Sequence, residues 1–332
     1  MTPETRRRLL DLLVPFSPVL VYVADPGAVM VMETVAAAVP AVTGPWFADG
    51  WAAANLKRPF HPADTLPAFL DGVRGGAVLL GSQVAFARTR GILRDCRARG
   101  VPTIFLFDHW KNFAAHFVPT ADEPGGPVLP DIIGVPDAAA AELLRADFAR
   151  HGLTPDQTPP LAVTGHPAVE AACARIRAIP AADTAALRRS WGAEGKPLVL
   201  LLLDPVERGG ANDPGYGWED IMNWLEPRAG ALSPDARILV KPHPRQPPER
   251  VAAALDRWRR AGLDAALVTG GDTEALIAAA DAVWGITTVA LVTALGVGKR
   301  VCSFQIGRNA VGVLDSNPHI EPFTVTGAPS PR

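Results

Sequence analysis

The sequence predicts an α/β protein made of two doubly wound units in tandem. Three observations lead there. Short apolar runs flanked by Gly or Pro recur along the chain, as buried parallel strands do. Helical patterns separate them, the alternation expected of βαβ units. The alternation breaks once, near the middle of the 332 residues, and then restarts. A chain of this length, 48% hydrophobic, exceeds what one core ordinarily encloses and suffices for two.

In the first half, strands are expected at 19–24, 77–81, 103–107, 131–135 and 161–164, with helices at 28–39, 89–99 and 138–150. Asp137 stands at the N-cap position of the last of these helices. Residues 179–197 carry Pro180, a mixture of acids and bases and a short helix at 185–191. They read as a linker between a first domain at 1–178 and a second at 198–315. The second half supplies strands at 198–203, 237–241, 266–269, 282–284 and 300–303, and helices at 218–225, 249–261, 273–280 and 289–295. Two such units are Rossmann-like, and their sheets are expected to face each other across a crevice. The tail, 316–332, contains Pro318, Pro322 and Pro329; it is expected to be irregular and free to cross back over the first domain.

The net charge of −2 gives no global field to draw the chain onto nucleic acid or an anionic membrane, so a phosphorylated partner needs a local site. Cys96, Cys173 and Cys302 lack the paired spacing of zinc or disulfide frameworks and read as isolated thiols in a reducing compartment. Arg6-Arg7-Arg8 is followed only by a short amphipathic run and Asp11, which is not a secretory signal. The longest uncharged apolar stretch, 282–298, contains Gly and Thr and falls short of the roughly 20 residues of a span. The expected location is cytoplasmic, with only peripheral membrane contact left open. The Ala, Arg and Pro bias resembles that of GC-rich bacterial genomes.

In open α/β sheets, ligands bind beyond the carboxyl ends of the strands, which selects a few loops. In Asp25-Pro26-Gly27, Asp25 could take a proton from a substrate hydroxyl, or could simply cap the following helix; Gly27 permits close approach. Lys241-Pro242-His243-Pro244-Arg245 concentrates three cationic or protonatable side chains, and its prolines limit the backbone around His243. Such an imidazole suits charge developing on a phosphate; a proline-punctuated surface turn is the plain alternative. At Gly285-Ile286-Thr287-Thr288, two hydroxyls and free N–H groups at a helix start suit a phosphate, a role compatible with capping.

Asp108-His109-Trp110-Lys111-Asn112 offers an acceptor-side surface, or a structural role for Asp108. His166 reads as hinge rather than nucleotide contact. The glycine-rich loop 204–220 could move over a ligand or be inert. Missing from the sequence are an Asp-x-Asp pair for a metal-bridged diphosphate, a Walker pattern, a full GxGxxG after a strand and a Gly-x-Ser-x-Gly elbow. ATPase, dehydrogenase and esterase readings fall with them.

Lys241-Pro242-His243-Pro244, followed by Trp284-Gly285-Ile286-Thr287-Thr288 and then by Ala294-Leu295-Gly296, resembles bacterial surface-polysaccharide GT-B enzymes: sialyltransferases, Kdo transferases and CDP-glycerol glycerophosphotransferases. The resemblance covers the second half and, in layout only, the first. It implies a GT-B fold, two Rossmann-like domains facing across a cleft. It also implies a cytidine-nucleotide donor, a CMP-linked ulosonic acid, whose sugar is transferred to a glycan or protein hydroxyl without a metal. Asp25 would be the base, although Pro26 stands where those sialyltransferases carry a second acid. His243 would be the phosphate-side acid or stabiliser. Lys241, Pro244, Arg245, Gly285, Thr287 and Thr288 would surround the donor, and Gly27, Asp108, His109, Trp110 and Asn112 would face the acceptor. The alternatives are a CDP-glycerol glycerophosphotransferase, a UDP-sugar transferase or 2-epimerase of the same fold, and a non-catalytic GT-B module.

Overall fold

The computed structural model describes all residues except 41, 121, 207–214, 244, 245, 307–321 and 325–332. The chain divides into two compact units, Met1–Ala171 and Ala172–Arg332.

The first unit runs α1 (Pro3–Leu13), β1 (Val19–Val23), α2 (Pro26–Ala38), β2 (Trp46–Ala48), α3 (Gly50–Asn55), β3 (His61–Pro62), α4 (Leu66–Leu70), β4 (Ala77–Gly81), α5 (Phe86–Ala98), β5 (Thr103–Leu106), β6 (Ile132–Val135), α6 (Ala138–Arg150), β7 (Leu161–Val163) and α7 (Pro167–Ala178). The last of these continues past the division. The seven strands are ordered β3-β2-β1-β4-β5-β6-β7, every pairing parallel. Side chains alternate across a strand, and here they do so faithfully: Val19, Val21 and Val23 of β1 join Ala28, Val31, Met32 and Val35 of α2 in one apolar cluster, while Leu20 and Tyr22 are buried outside it. The expected cap at α6 is present, Asp137 accepting from Ala140 N–H at 2.7 Å.

The second unit follows α7 with α8 (Ala181–Ser190), β8 (Leu198–Leu202), α9 (Trp218–Leu225), α10 (Ala229–Leu232), β9 (Arg237–Lys241), α11 (Pro248–Arg260), β10 (Ala265–Leu267), α12 (Thr273–Ala279), β11 (Ala282–Gly285), α13 (Ala290–Gly296), β12 (Arg300–Gln305) and β13 (Pro322–Thr324). Its parallel sheet is ordered β10-β9-β8-β11-β12-β13. Val199, Leu201, Ile238, Val240 and Trp284 meet α9 and α11 on one face. Leu198, Leu200, Leu202, Leu239 and Val283 meet α12 and α13 on the other. Helices on both faces of a parallel sheet make this unit doubly wound.

Residues 179–197, expected as a linker, are largely the helix α8 and its exit, and they are docked on the second sheet. Leu187 and Trp191 pack on the α12–α13 cluster, and the Arg188 guanidinium donates to Ala279 O (2.7 Å), Asp281 (3.0 Å) and Lys196 O (2.6 Å). The expected irregular tail is corrected at one point: residues 322–324 pair in parallel with Ser303, Phe304 and Gln305 as an edge strand. The stretch 282–298 is a strand, a turn and a short helix, and no helix among the described residues is long and apolar enough to cross a membrane. Cys96 and Cys173 are buried and Cys302 is half-buried, all outside any disulfide; burial pushes the Cys96 thiol up to about 12.

Candidate functional site

Because every strand of the first sheet runs the same way, the loops after β1, β4, β5, β6 and β7 emerge at one edge. The chain order reverses between β1 and β4, the position where such sheets hold ligands. Asp25 lies there, at the N-cap position of α2, but its side chain makes no capping bond. One carboxylate oxygen instead accepts the Val84 N–H at 2.6 Å, tying the loop after β1 to the loop after β4. Tyr22 O–H and Arg88 Nε both donate to Asp49, at 2.9 and 3.2 Å.

Asp108, after β5, lies against Gly27: a Cβ at residue 27 would come within 2.0 Å of its Oδ2. The approach expected at Gly27 was that of another molecule; here the protein's own carboxylate occupies that space. The other oxygen, Oδ1, is buried with no hydrogen-bond partner. Three imidazoles surround this residue. His166 Nδ1 accepts from Val169 N–H (3.3 Å), so its Nε2 donates to the Asp108 carbonyl (2.9 Å). His116 Nε2 accepts from Gln83 N–H (3.3 Å), so its Nδ1 donates to Asn112 O (3.0 Å). His109 Nε2 stands 3.9 Å from Asp108 Oδ1, beyond hydrogen-bond reach. Burial, with the Lys111 charge adding to it at His109, pushes His109 and His116 down to about 3, so both rings are neutral near pH 7.

The remaining acceptor-side expectations divide. Trp110 is buried, stacked on His166 with ring centroids 5.6 Å apart, and donates to Asp137 at 2.8 Å; it supports the rim from beneath and offers no open platform. Asn112 takes a left-handed backbone with φ 53°, which Asn tolerates better than most residues, and aims its carbonyl at His116. His166, expected as a hinge, is buried, its ring held between the Asp108 carbonyl and the Val169 N–H.

In the second sheet the order reverses between β8 and β11. Asp204, just beyond β8, accepts from both Thr287 N–H (2.5 Å) and Thr287 Oγ1–H (3.0 Å) through one oxygen. Gln246 donates to the Asp204 carbonyl (2.9 Å) and accepts from His243 N–H (2.6 Å). The loop carrying His243 and the turn carrying Thr287 are thereby braced to each other through two side chains. The structure thus brings the two motifs together, but an internal carboxylate already holds the Thr287 donors foreseen for a phosphate. Thr288 accepts from Ala290 N–H at 3.3 Å, one residue ahead of Val289, the N-cap of α13. Gly285 is a packing glycine, a Cβ there meeting Leu202 O at 3.2 Å.

Lys241 turns from the His243 loop to the carbonyls of Gly270 and Gly271 (2.9 and 3.3 Å), and burial lowers its ammonium pKa. Pro244, Arg245 and the Gly209-Gly210 part of the glycine-rich loop lie outside the described residues. At the other end of that loop Tyr216 is a core residue, its hydroxyl buried without a partner and its pKa raised by burial and then by Asp204.

No protein-family model and no curated protein matches this chain. Solved structures do. Anabaena Alr3699/HepE in complex with UDP is similar over 94% of this chain and 86% of its own, at 12% identity and a TM-score of 0.58. UDP-GlcNAc 2-epimerase from Methanocaldococcus jannaschii is similar over 92% and 88%, at 12% and 0.56. A glycosyltransferase from Rickettsia africae is similar over 94% and 84%, at 10% and 0.55.

The fold is GT-B.

Within this GT-B chain, sequence reasoning missed Asp204 and Gln246 as members of the second rim. Asp204 begins a loop after an apolar strand, which was a usable signal. Gln246 lies three residues beyond His243 and carried none. It also missed His116 and Gln83, whose partners are 33 residues apart in the chain.

Proposed function

We propose that this GT-B protein is a glycosyltransferase that uses a pyrimidine-nucleotide sugar, its second unit binding the nucleotide and its first the acceptor hydroxyl. The observation that carries this reading is the brace joining the His243 loop to the Thr287 turn through Gln246 and Asp204. It sets an imidazole-bearing loop and a polar turn at the strand ends where an α/β sheet holds a phosphorylated ligand. His243 would stabilise the leaving phosphate. Thr288 and the N–H groups of the same turn would complete the contact, while Thr287 stays with Asp204. Asp25, Gly27, Asp108 and His109 would line the acceptor side. No metal is assigned a part.

The motif order from His243 to Thr288 favours a CMP-linked ulosonic acid as donor. The UDP bound to the Anabaena protein favours the second reading, a UDP-sugar donor. Thermal melting against CMP, CDP, UDP and GDP separates them. A ligand bound only by the native state at about 100 times its Kd adds roughly 2.7 kcal/mol, a rise of about 5 °C or more for a domain of this size. The nucleotide of the true donor is expected to give that rise, and His243→Ala to shrink it. A flat response to all four nucleotides would refute the proposal.

A further inference from the structure

Asp25 was the acid expected to take the acceptor's proton, yet its environment argues for another carboxylate. One of the Asp25 oxygens is taken up by the Val84 N–H at 2.6 Å, which ties that carboxylate to the loop after β4. Asp108 differs. Its Oδ1 is buried without a hydrogen-bond partner, and an ionised carboxylate can only accept, so this atom lacks a donor, an unfavourable state for a buried acceptor. Three neighbouring donors are committed elsewhere, His166 Nε2–H to the Asp108 carbonyl, His116 Nδ1–H to Asn112 and Trp110 Nε1–H to Asp137, and the fourth, His109 Nε2, stands 3.9 Å from Oδ1, beyond hydrogen-bond reach.

A second acceptor on the same rim is in the same condition. Gln83, 4% exposed and two residues beyond the adjacent strand β4, gives its amide N–H to Thr89 at 2.6 Å, while its Oε1 is buried and unpartnered. Two buried acceptors wanting donors fit a ligand that presents several hydroxyl hydrogens, which is the chemistry of a carbohydrate.

We infer that Asp108 Oδ1 is the catalytic base that receives the acceptor hydroxyl's proton, with Gln83 Oε1 taking a hydrogen bond from a second hydroxyl of the same sugar. This rests on the glycosyltransferase reading above. In the step, the acceptor oxygen forms its bond to the donor's anomeric carbon and its proton passes to Asp108. The bond from that carbon to the phosphate oxygen breaks, and the electron pair leaves with the nucleotide.

The test is Asp108→Asn in the full chain, assayed for transfer from the donor nucleotide identified by melting and for binding of that nucleotide. General-base loss of about 10²–10⁴-fold in kcat is expected, with nucleotide affinity within about twofold of wild type and the acidic limb of the wild-type pH–rate profile abolished. Gly27→Ala provides a second route, because its Cβ would displace the Asp108 carboxylate without altering the acid; it too should lose transfer and keep nucleotide binding. Wild-type turnover in Asp108→Asn, or an acidic limb retained in it, overturns the assignment alone. Wild-type protein that neither binds nor turns over any donor overturns the glycosyltransferase reading and this inference together.

Discussion

Asp204 shows how far a residue's type can mislead about its role. Thr287 was legible as a donor-rich turn, and it is one; what the sequence could not reveal is that the anion on it lies 83 positions away in the same chain. A hydrogen bond across such a separation leaves no local pattern, whereas the cap at Asp137, bonded three residues on, was readable because the geometry is local. The same contrast governs the histidines. His243 stood out through its flanking prolines, while His116, 1% exposed and set edge-on among Phe86, Phe105 and Phe107, carried no mark. Its depressed pKa has a direct consequence for stability. The folded ring resists a proton until about pH 3, but the unfolded ring accepts one near 6.5. The stabilisation is therefore complete above about pH 6.5 and is lost progressively as the pH falls towards 3, by on the order of 1 kcal/mol per pH unit. NMR titration of the imidazole resonances checks this: His116 should stay neutral at pH 5, and a folded-state midpoint near 6.5 would refute it.

Among the elements, the central strands were readable because burial on both faces demands unbroken apolar runs. Those at 77–81, 237–241 and 198–203 lie where expected to within a residue. The edge strands were not. Trp46–Ala48, His61–Pro62 and Pro322–Thr324 have two or three residues each, too few for any period to register, and two of them contain proline, which an edge tolerates. Helix α8 was half-seen as a short linker helix, because Leu187 and Trp191 mark an apolar face whose destination only the folded sheet supplies. Packing between elements is tight enough to predict from. Helix α2 crosses β4 at Gly81, where a Cβ would approach Ala28 Cβ to 2.7 Å and Met32 Cε to 3.3 Å. Gly81→Ala is expected to push the helix off the strand and cost about 1–3 kcal/mol, as overpacking does. Urea denaturation measures it, and an unchanged midpoint would show that the helix yields freely.

At the scale of the molecule, the apolar clusters draw on separate stretches: residues of the β1–α2 cluster lie between Met1 and Ala168, and those of the two second-sheet clusters between Ile176 and Ile306. A large cavity in one core should therefore leave the other intact. Trp258, fully buried under α9, is the case to try. Trp258→Ala is expected to cost about 3–5 kcal/mol and to speed hydrogen exchange in β8, β9 and β11 while β1, β4 and β5 exchange as before; equal acceleration in both sets would refute it. The tandem arrangement was legible because each unit repeats the strand–helix alternation, but the point of division was not, since it falls inside α7 and not at a break in composition. The first turn of that helix is fastened by Glu170 to Thr2 N–H and Thr5 Oγ1–H, and its later turns by Arg175 to Glu274 and Arg177 to Gly296 O. Severing the gene at the 171/172 border would leave each product with a frayed stump and orphaned carbonyls or amides. Fragments meant for separate expression therefore need to share these twelve residues, the same stretch duplicated at the end of one and the start of the other.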